Sequence, residues 1–414
     1  MASRRHWHLS VLSALVGASL LAACGGGDSE PIATRVVVFG DSLSDVGAYT
    51  PATQIPLATL GAGTGQQVGE APYLGGKFTT NTHTGYACQR DTNGALVRGA
   101  NNALICSNSS NSSTWGEWVA ARVGVAVTPH EVGFGPQSRL CPAAATSPAL
   151  ANSCTGYAQG GSRVTSPAGI GNPNGNGING ASPAPMTRSM VAQVAQHLTR
   201  FTSFGAGDIV FVYGGNNDVF VQFGAVGQGL PVPTAIANVQ QAATELATLV
   251  RSQILARGAT RVAVMNLPDS SATPQFRTLP AANRALLSQL SADFNTALAS
   301  GLSGSGAQMI DARGWSASVL ASPASFGFSN VTDRACDPAR MAVATGGSSL
   351  FCNAASASLF TAASLPNLNS LRTDASASTW LFADGVHPTS GGHKAFGDYV
   401  ITQIKDFGWL PANL

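Results

Sequence analysis

Residues 35–47 read RVVVFGDSLSDVG, and no other stretch narrows the fold as far. Val36, Val37, Val38 and Phe39 form a short apolar, β-branched run. Bounded by a turn residue, such a run reads as a buried strand. Gly40 and Asp41 break it, so Ser42 falls just past the strand's carboxyl end. Open α/β sheets place their active sites there. Ser42 is therefore a candidate nucleophile, although a plain polar turn would have the same local signature.

Downstream, strand and helix patterns alternate. The run Asp208 to Tyr213 predicts a second buried strand, and residues 261–267 and 308–311 predict two more. Between and around them, residues 115–123, 186–201, 234–257, 279–302 and 391–404 carry apolar residues at helical spacing. Residues 125–127 suggest one further strand. The alternation after residue 205 points to a parallel sheet flanked by helices.

Ester cleavage needs a nucleophile, a base, a group that orients the base, and donors for the oxyanion. His387 is the candidate base. Asp384, three residues earlier across Gly385 and Val386, is the candidate orienter, because a tight turn can aim both side chains inward. Asn217, in Gly215-Asn216-Asn217-Asp218, offers a side-chain amide to an oxyanion. Asp218 fits a structural hydrogen-bond acceptor better than a catalyst, and Asp41 and Asp45 fit loop-orienting roles. An isolated Asp-x-x-His is usually a solvated turn; the weight here comes from Ser42 and its partners in combination. His197 reads as a surface or packed residue, and His83, His130 and His393 as structural.

With Gly40-Asp41-Ser42, the Gly160-Gly161 pair, Gly215-x-Asn217-Asp218 and Asp384-x-x-His387 in that order, the chain resembles the GDSL family of serine esterases and lipases, also called SGNH hydrolases. The resemblance implies an α/β, flavodoxin-like three-layer α/β/α sandwich with a mostly parallel sheet and long disulfide-bearing loop insertions. It implies cleavage of acyl esters or lipids through an acyl-Ser42 intermediate, without cofactor or metal. It also implies that the N–H groups of Ser42 and Gly161 complete an oxyanion hole with Asn217; Gly160 and Gly161 differ by one position, and the sequence does not separate them. Acyl transfer to an alcohol by the same residues, or a surface binding lipoprotein without turnover, are the competing readings. There is no Gly-x-Ser-x-Gly elbow, phosphate-cradling glycine loop or zinc signature.

Net charge is +2 and only 10% of residues are charged, against about 25% in a typical domain. A nucleic-acid partner would demand a basic face, so none is expected. Arg4 and Arg5 precede an apolar run that ends at Leu21-Ala22-Ala23-Cys24, a leader too short for a comfortable span and resembling a bacterial lipobox. Residues 1–24 are thus expected to be a lipoprotein signal with Cys24 lipidated, and residues 25–34 a tether. Gly25 after the cysteine resembles an outer-membrane sorting signal, with ordinary secretion as the alternative. Residues 35–414 are expected to form a single domain with insertions around 49–113, 136–185 and 312–383. The sequence ends soon after the last block, so no translocating β-barrel of the kind some family members carry is expected.

Six further cysteines fall as sequence-local pairs. An even count in an exported chain suggests disulfides, with Cys88–Cys106, Cys141–Cys154 and Cys336–Cys352 as the neighbour pairing among the 15 connectivities that six cysteines permit.

Overall fold

A computed structural model describes residues 32–49, 76–88, 106–110, 112–132, 139–170, 187–339, 341, 348–354, 370–411 and 413. Cys24, its leader and the Gly/Asn/Pro tract beyond residue 170 lie outside the described residues.

Four parallel strands form the central sheet in the order β1 (Arg35–Gly40), β2 (Asp208–Tyr213), β3 (Val262–Met265) and β4 (Gln308–Ile310). β1 and β2 pair in register from Arg35↔Asp208 to Gly40↔Tyr213. Both are buried on each face, which is why they read as unbroken apolar runs. At the outer end of the pair, Arg35 grips buried Asp208 with two nitrogens, at 2.9 and 2.7 Å. Removing either partner would strand a charge.

Side chains alternate between the two faces. Val37, Phe39, Val210, Val212, Val262 and Val264 face one core, covered by α2 (Met190–Phe201), α4 (Val232–Leu249) and α5 (Ala281–Leu302). Val36, Val38, Ile209, Phe211, Ala263 and Met265 face the other, covered by α1 (Trp115–Arg122) and α7 (Ser390–Asp406). The sheet therefore lies between two helical layers, a three-layer α/β/α sandwich as the sequence implied. Between these elements come α3 (Asn216–Gly227) after β2 and α6 (Ala312–Ala321) after β4.

Several boundaries differ from the sequence reading. Residues 125–127 are not a strand. Only Thr128 to His130 pair, through backbone bonds with the 153–156 segment, because Pro129 lacks the N–H a longer ladder needs. That segment in turn lies along the free edge of β1, where Val38 N–H donates to Thr155 O and Tyr157 N–H to Val38 O. Part of the expected 136–185 insertion is thus sheet edge. α2 begins at Met190 rather than 186, where the Ser189 side chain accepts the Ala192 N–H as a cap. The expected loop-rich region 312–383 contains α6 and a two-stranded pair, Asn330–Arg334 with Trp380–Phe382. His197 is fully buried among Phe39, Tyr157, Phe201 and Phe204.

Disulfides link Cys141 to Cys154 and Cys336 to Cys352. Cys88 and Cys106 face each other in an antiparallel pair, His83–Cys88 with Cys106–Ser110. Their side chains lie outside the described residues.

Candidate active site

β1 ends in a backbone crossing that only glycine allows. A Cβ at Gly40 would sit 2.1 Å from Tyr213 O on β2. Without that clash the chain turns at the carboxyl end of the sheet, and Ser42 lands half-buried in a cavity rather than on an open surface. Buried Gln193 on α2 fixes the turn from behind: its Oε1 accepts Gly40 N–H, and its Nε2 donates to Gly40 O and Ser162 Oγ. Asp41 accepts Leu43 N–H and Asn216 Nδ2, and burial pushes its carboxyl up to about 6 despite both bonds.

From the far end of the chain, His387 reaches the same point. Its Nε2 lies 2.8 Å from Ser42 Oγ, and its Nδ1 lies 2.7 Å from Asp384 Oδ2. Asp384 sits in the turn the Asp-x-x-His spacing predicts: Oδ1 accepts the N–H groups of Val386 and His387. Oδ2 also accepts Ser349 N–H. Burial alone would raise this carboxyl, but the His387 ring and the backbone donors hold it well below the usual carboxylate range. An ionised Asp384 only accepts, so Nδ1 carries the proton and Nε2 is left to accept from Ser42 Oγ–H. The Phe78 ring lies against His387, with centroids 4.8 Å apart.

Phe78 is itself held by a histidine that the sequence reading treated as merely structural. Buried His393 accepts Trp115 N–H at Nδ1 and donates from Nε2 to Phe78 O. Burial pushes it down to about 4, so it stays neutral. It acts as a brace for the wall behind His387.

The N–H groups of Gly160 and Gly161 differ in what they meet. Gly160 N–H is already spent on buried Asp45 Oδ2, whose other oxygen accepts Gly47 and Ala48 N–H. Among the described residues Gly161 N–H has no acceptor, and Gly161 lines the cavity with Ser42 and Asn217. Its φ of +81° and the 2.3 Å a Cβ would leave to Ile170 O restrict the position to glycine. Asn217 Nδ2 donates one hydrogen to Ser162 O at 2.8 Å, which orients the amide and leaves its second hydrogen. Asp218 binds Arg163 Nε at 2.9 Å and Val164 N–H at 3.0 Å, tying the start of α3 to the glycine block.

Around Ser42 the cavity measures about 810 Å³. Two of the expected insertions line it, with Tyr49 and Phe78 from residues 49–113 and Trp315, Leu320, Leu350 and Phe382 from residues 312–383. A wall the sequence reading missed comes from α3 and the loop between β3 and α5: Phe220, Phe223, Gly224 and Phe276. The readable signal was there, since Phe220 and Phe223 follow Asn217 at helical spacing. Among the described residues no group of three or more His, Cys, Asp or Glu side chains could hold a metal ion, and no helix is long and apolar enough to cross a membrane.

A serine, an imidazole and a carboxylate in line, in a cavity lined also by Gly161 and Asn217 at the carboxyl end of a parallel sheet, define a serine hydrolase type of site. The family model described as GDSL-like lipase/acylhydrolase matches residues 36–400, and the chain belongs to that family. Ester hydrolysis in general follows from that membership. A search among curated proteins finds no match.

Proposed function

We propose that the protein is a carboxylic-ester hydrolase that works through an acyl-Ser42 intermediate and is held in the cell envelope by a lipid on Cys24. The observation that carries the chemistry is the unbroken line Ser42 Oγ, His387 Nε2, His387 Nδ1, Asp384 Oδ2, at 2.8 and 2.7 Å. Ser42 Oγ attacks the carbonyl carbon while His387 Nε2 takes its proton. The carbonyl oxygen becomes an oxyanion facing the N–H groups of Ser42 and Gly161 and the Asn217 amide. As the tetrahedral intermediate collapses, His387 returns the proton to the departing alkoxide, releasing the alcohol. Water then attacks the acyl-enzyme with His387 again as base, and the carboxylic acid leaves. Asp384 holds one tautomer and stabilises the imidazolium throughout.

The test is an ester panel of p-nitrophenyl substrates with a serine-directed fluorophosphonate, on protein lacking Cys24. Turnover and labelling that both vanish in Ser42→Ala, with melting temperature retained, are expected. Absence of both in the unaltered protein would favour a binding protein instead. The anchor is checked separately: the full-length protein expressed in a bacterium should partition with membranes, and Cys24→Ser should release it.

A further inference from the structure

We propose that the wall formed by α3 is the acyl-chain subsite, that it fits a medium-length chain of octanoyl size, and that Gly224 keeps its far end open. The inference rests on the ester-hydrolase reading of Ser42 and His387. It follows from how three groups divide the space around the acyl carbon. The leaving alkoxide must receive its proton from His387 Nε2, so the alcohol lies on the imidazole side, beside Val386 and Leu350. The carbonyl oxygen must face Asn217. The remaining substituent, the acyl chain, points away from His387 and past Asn217 along α3.

That direction is built for hydrocarbon. Residues three and four apart share a helix face, so Asn217, Phe220, Phe223 and Gly224 form one stripe. Phe276 closes over it, with ring centroids 5.3 Å from Phe220 and 6.0 Å from Phe223. All three rings are partly buried, packed on the core on one side and lining the cavity on the other. Gly224 lies two turns, about 10 Å, along the axis from Asn217, which is octanoyl reach. It is exposed at the cavity mouth, and a Cβ there would meet nothing within 4 Å. A side chain at this position enters open space, so the absence of one keeps the far end of the channel clear.

The experiment compares kcat/KM for p-nitrophenyl acetate, butyrate, octanoate and palmitate in the unaltered protein, Gly224→Ala and Gly224→Trp. The unaltered protein should gain about fourfold per added methylene up to octanoate and lose ground at palmitate. Gly224→Ala should keep the octanoate optimum. Gly224→Trp should cut the octanoate-to-butyrate ratio, about 250-fold on that scale, by about tenfold or more. A flat profile, an optimum at acetate, or an unchanged ratio in Gly224→Trp, with fluorophosphonate labelling intact, would overturn the subsite alone. No turnover on any ester and no labelling would overturn the hydrolase reading and this subsite with it.

Discussion

Ser349 donates its backbone N–H to Asp384 Oδ2 at 2.6 Å, onto the same oxygen that receives the His387 ring. The donor is only as steady as the segment that carries it. Residues 348–354 are tied down by the Cys336–Cys352 bond and by buried Asn81, whose side chain donates to Ser349 O and Cys352 O. A disulfide in a loop region thus orients the acid of the site.

Opening that bond should therefore reach the chemistry. Cys336→Ser/Cys352→Ser is expected to lower kcat by on the order of tenfold to a hundredfold through misplacement of the base, with a much smaller change in KM. Cys141→Ser/Cys154→Ser removes a loop of similar size, and each pair should cost about 3 kcal/mol of stability, but only the first should lower kcat. Steady-state kinetics beside calorimetric melting separates the two effects. Equal kcat losses would show that the 348–354 segment has no special part.

Asn217→Ala should reduce kcat by about 10²–10³, the usual loss for one oxyanion donor, while Ser42 labelling by fluorophosphonate persists at a slower rate. Its neighbour Asn216 bonds Asp41 at 3.4 Å instead, so Asn216→Ala should cost far less. Single-turnover kinetics on both variants checks the assignment, and the reverse ranking would exchange their roles.

Stability should rise as pH climbs from 4 to 7. His130, His197 and His393 are pushed from 6.5 down to about 4 by burial, so the unfolded chain takes up their protons first, and the stability is lost as pH falls through that window. Asp41 and Asp45, pushed up from 3.8 to about 6 by burial, work the other way: the folded protein holds their protons, and that contribution is lost as pH rises. Between about 4 and 6 the two groups oppose each other and leave a shallow slope. Above 6 the histidines act alone, and the slope steepens. Asp384, held low, adds stability above 3.8 that disappears on further acidification. Melting temperature against pH should show this shape, and His393→Gln should flatten it. An unchanged slope in that variant would remove His393 from the account.

The legible part of this fold was the part written in local pattern. β2 was legible to the residue and β1 from its Val36–Phe39 run, because a strand buried on both faces needs an apolar run; Arg35 and Gly40 extend β1 by one position at each end. Ser42, Asn217, Asp384 and His387, which the structure brings to one cavity or its wall, were legible as candidates because each sits in a short local motif. What escaped depends on partners far away in the chain. Gln193, His393 and Ser349 act through contacts with Gly40, Phe78 and Asp384, and nothing around them in sequence announces it. Helix α6 was missed because Ala, Ser and Gly dominate it, leaving Trp315, Val319 and Leu320 too sparse to mark a face. That Gly160 N–H is taken by Asp45 is likewise something no glycine count could reveal.

Ser42 and His387 are separated by 345 positions along the chain. A ribosome makes the nucleophile long before the base, so a nascent chain that has not reached residue 387 carries a serine with nothing to deprotonate it. The imidazole, moreover, precedes α7, whose Asp398 accepts Trp118 Nε1 on α1 at 2.8 Å. The serine therefore meets its base only when the segment carrying His387 docks beside the strand end that carries Ser42.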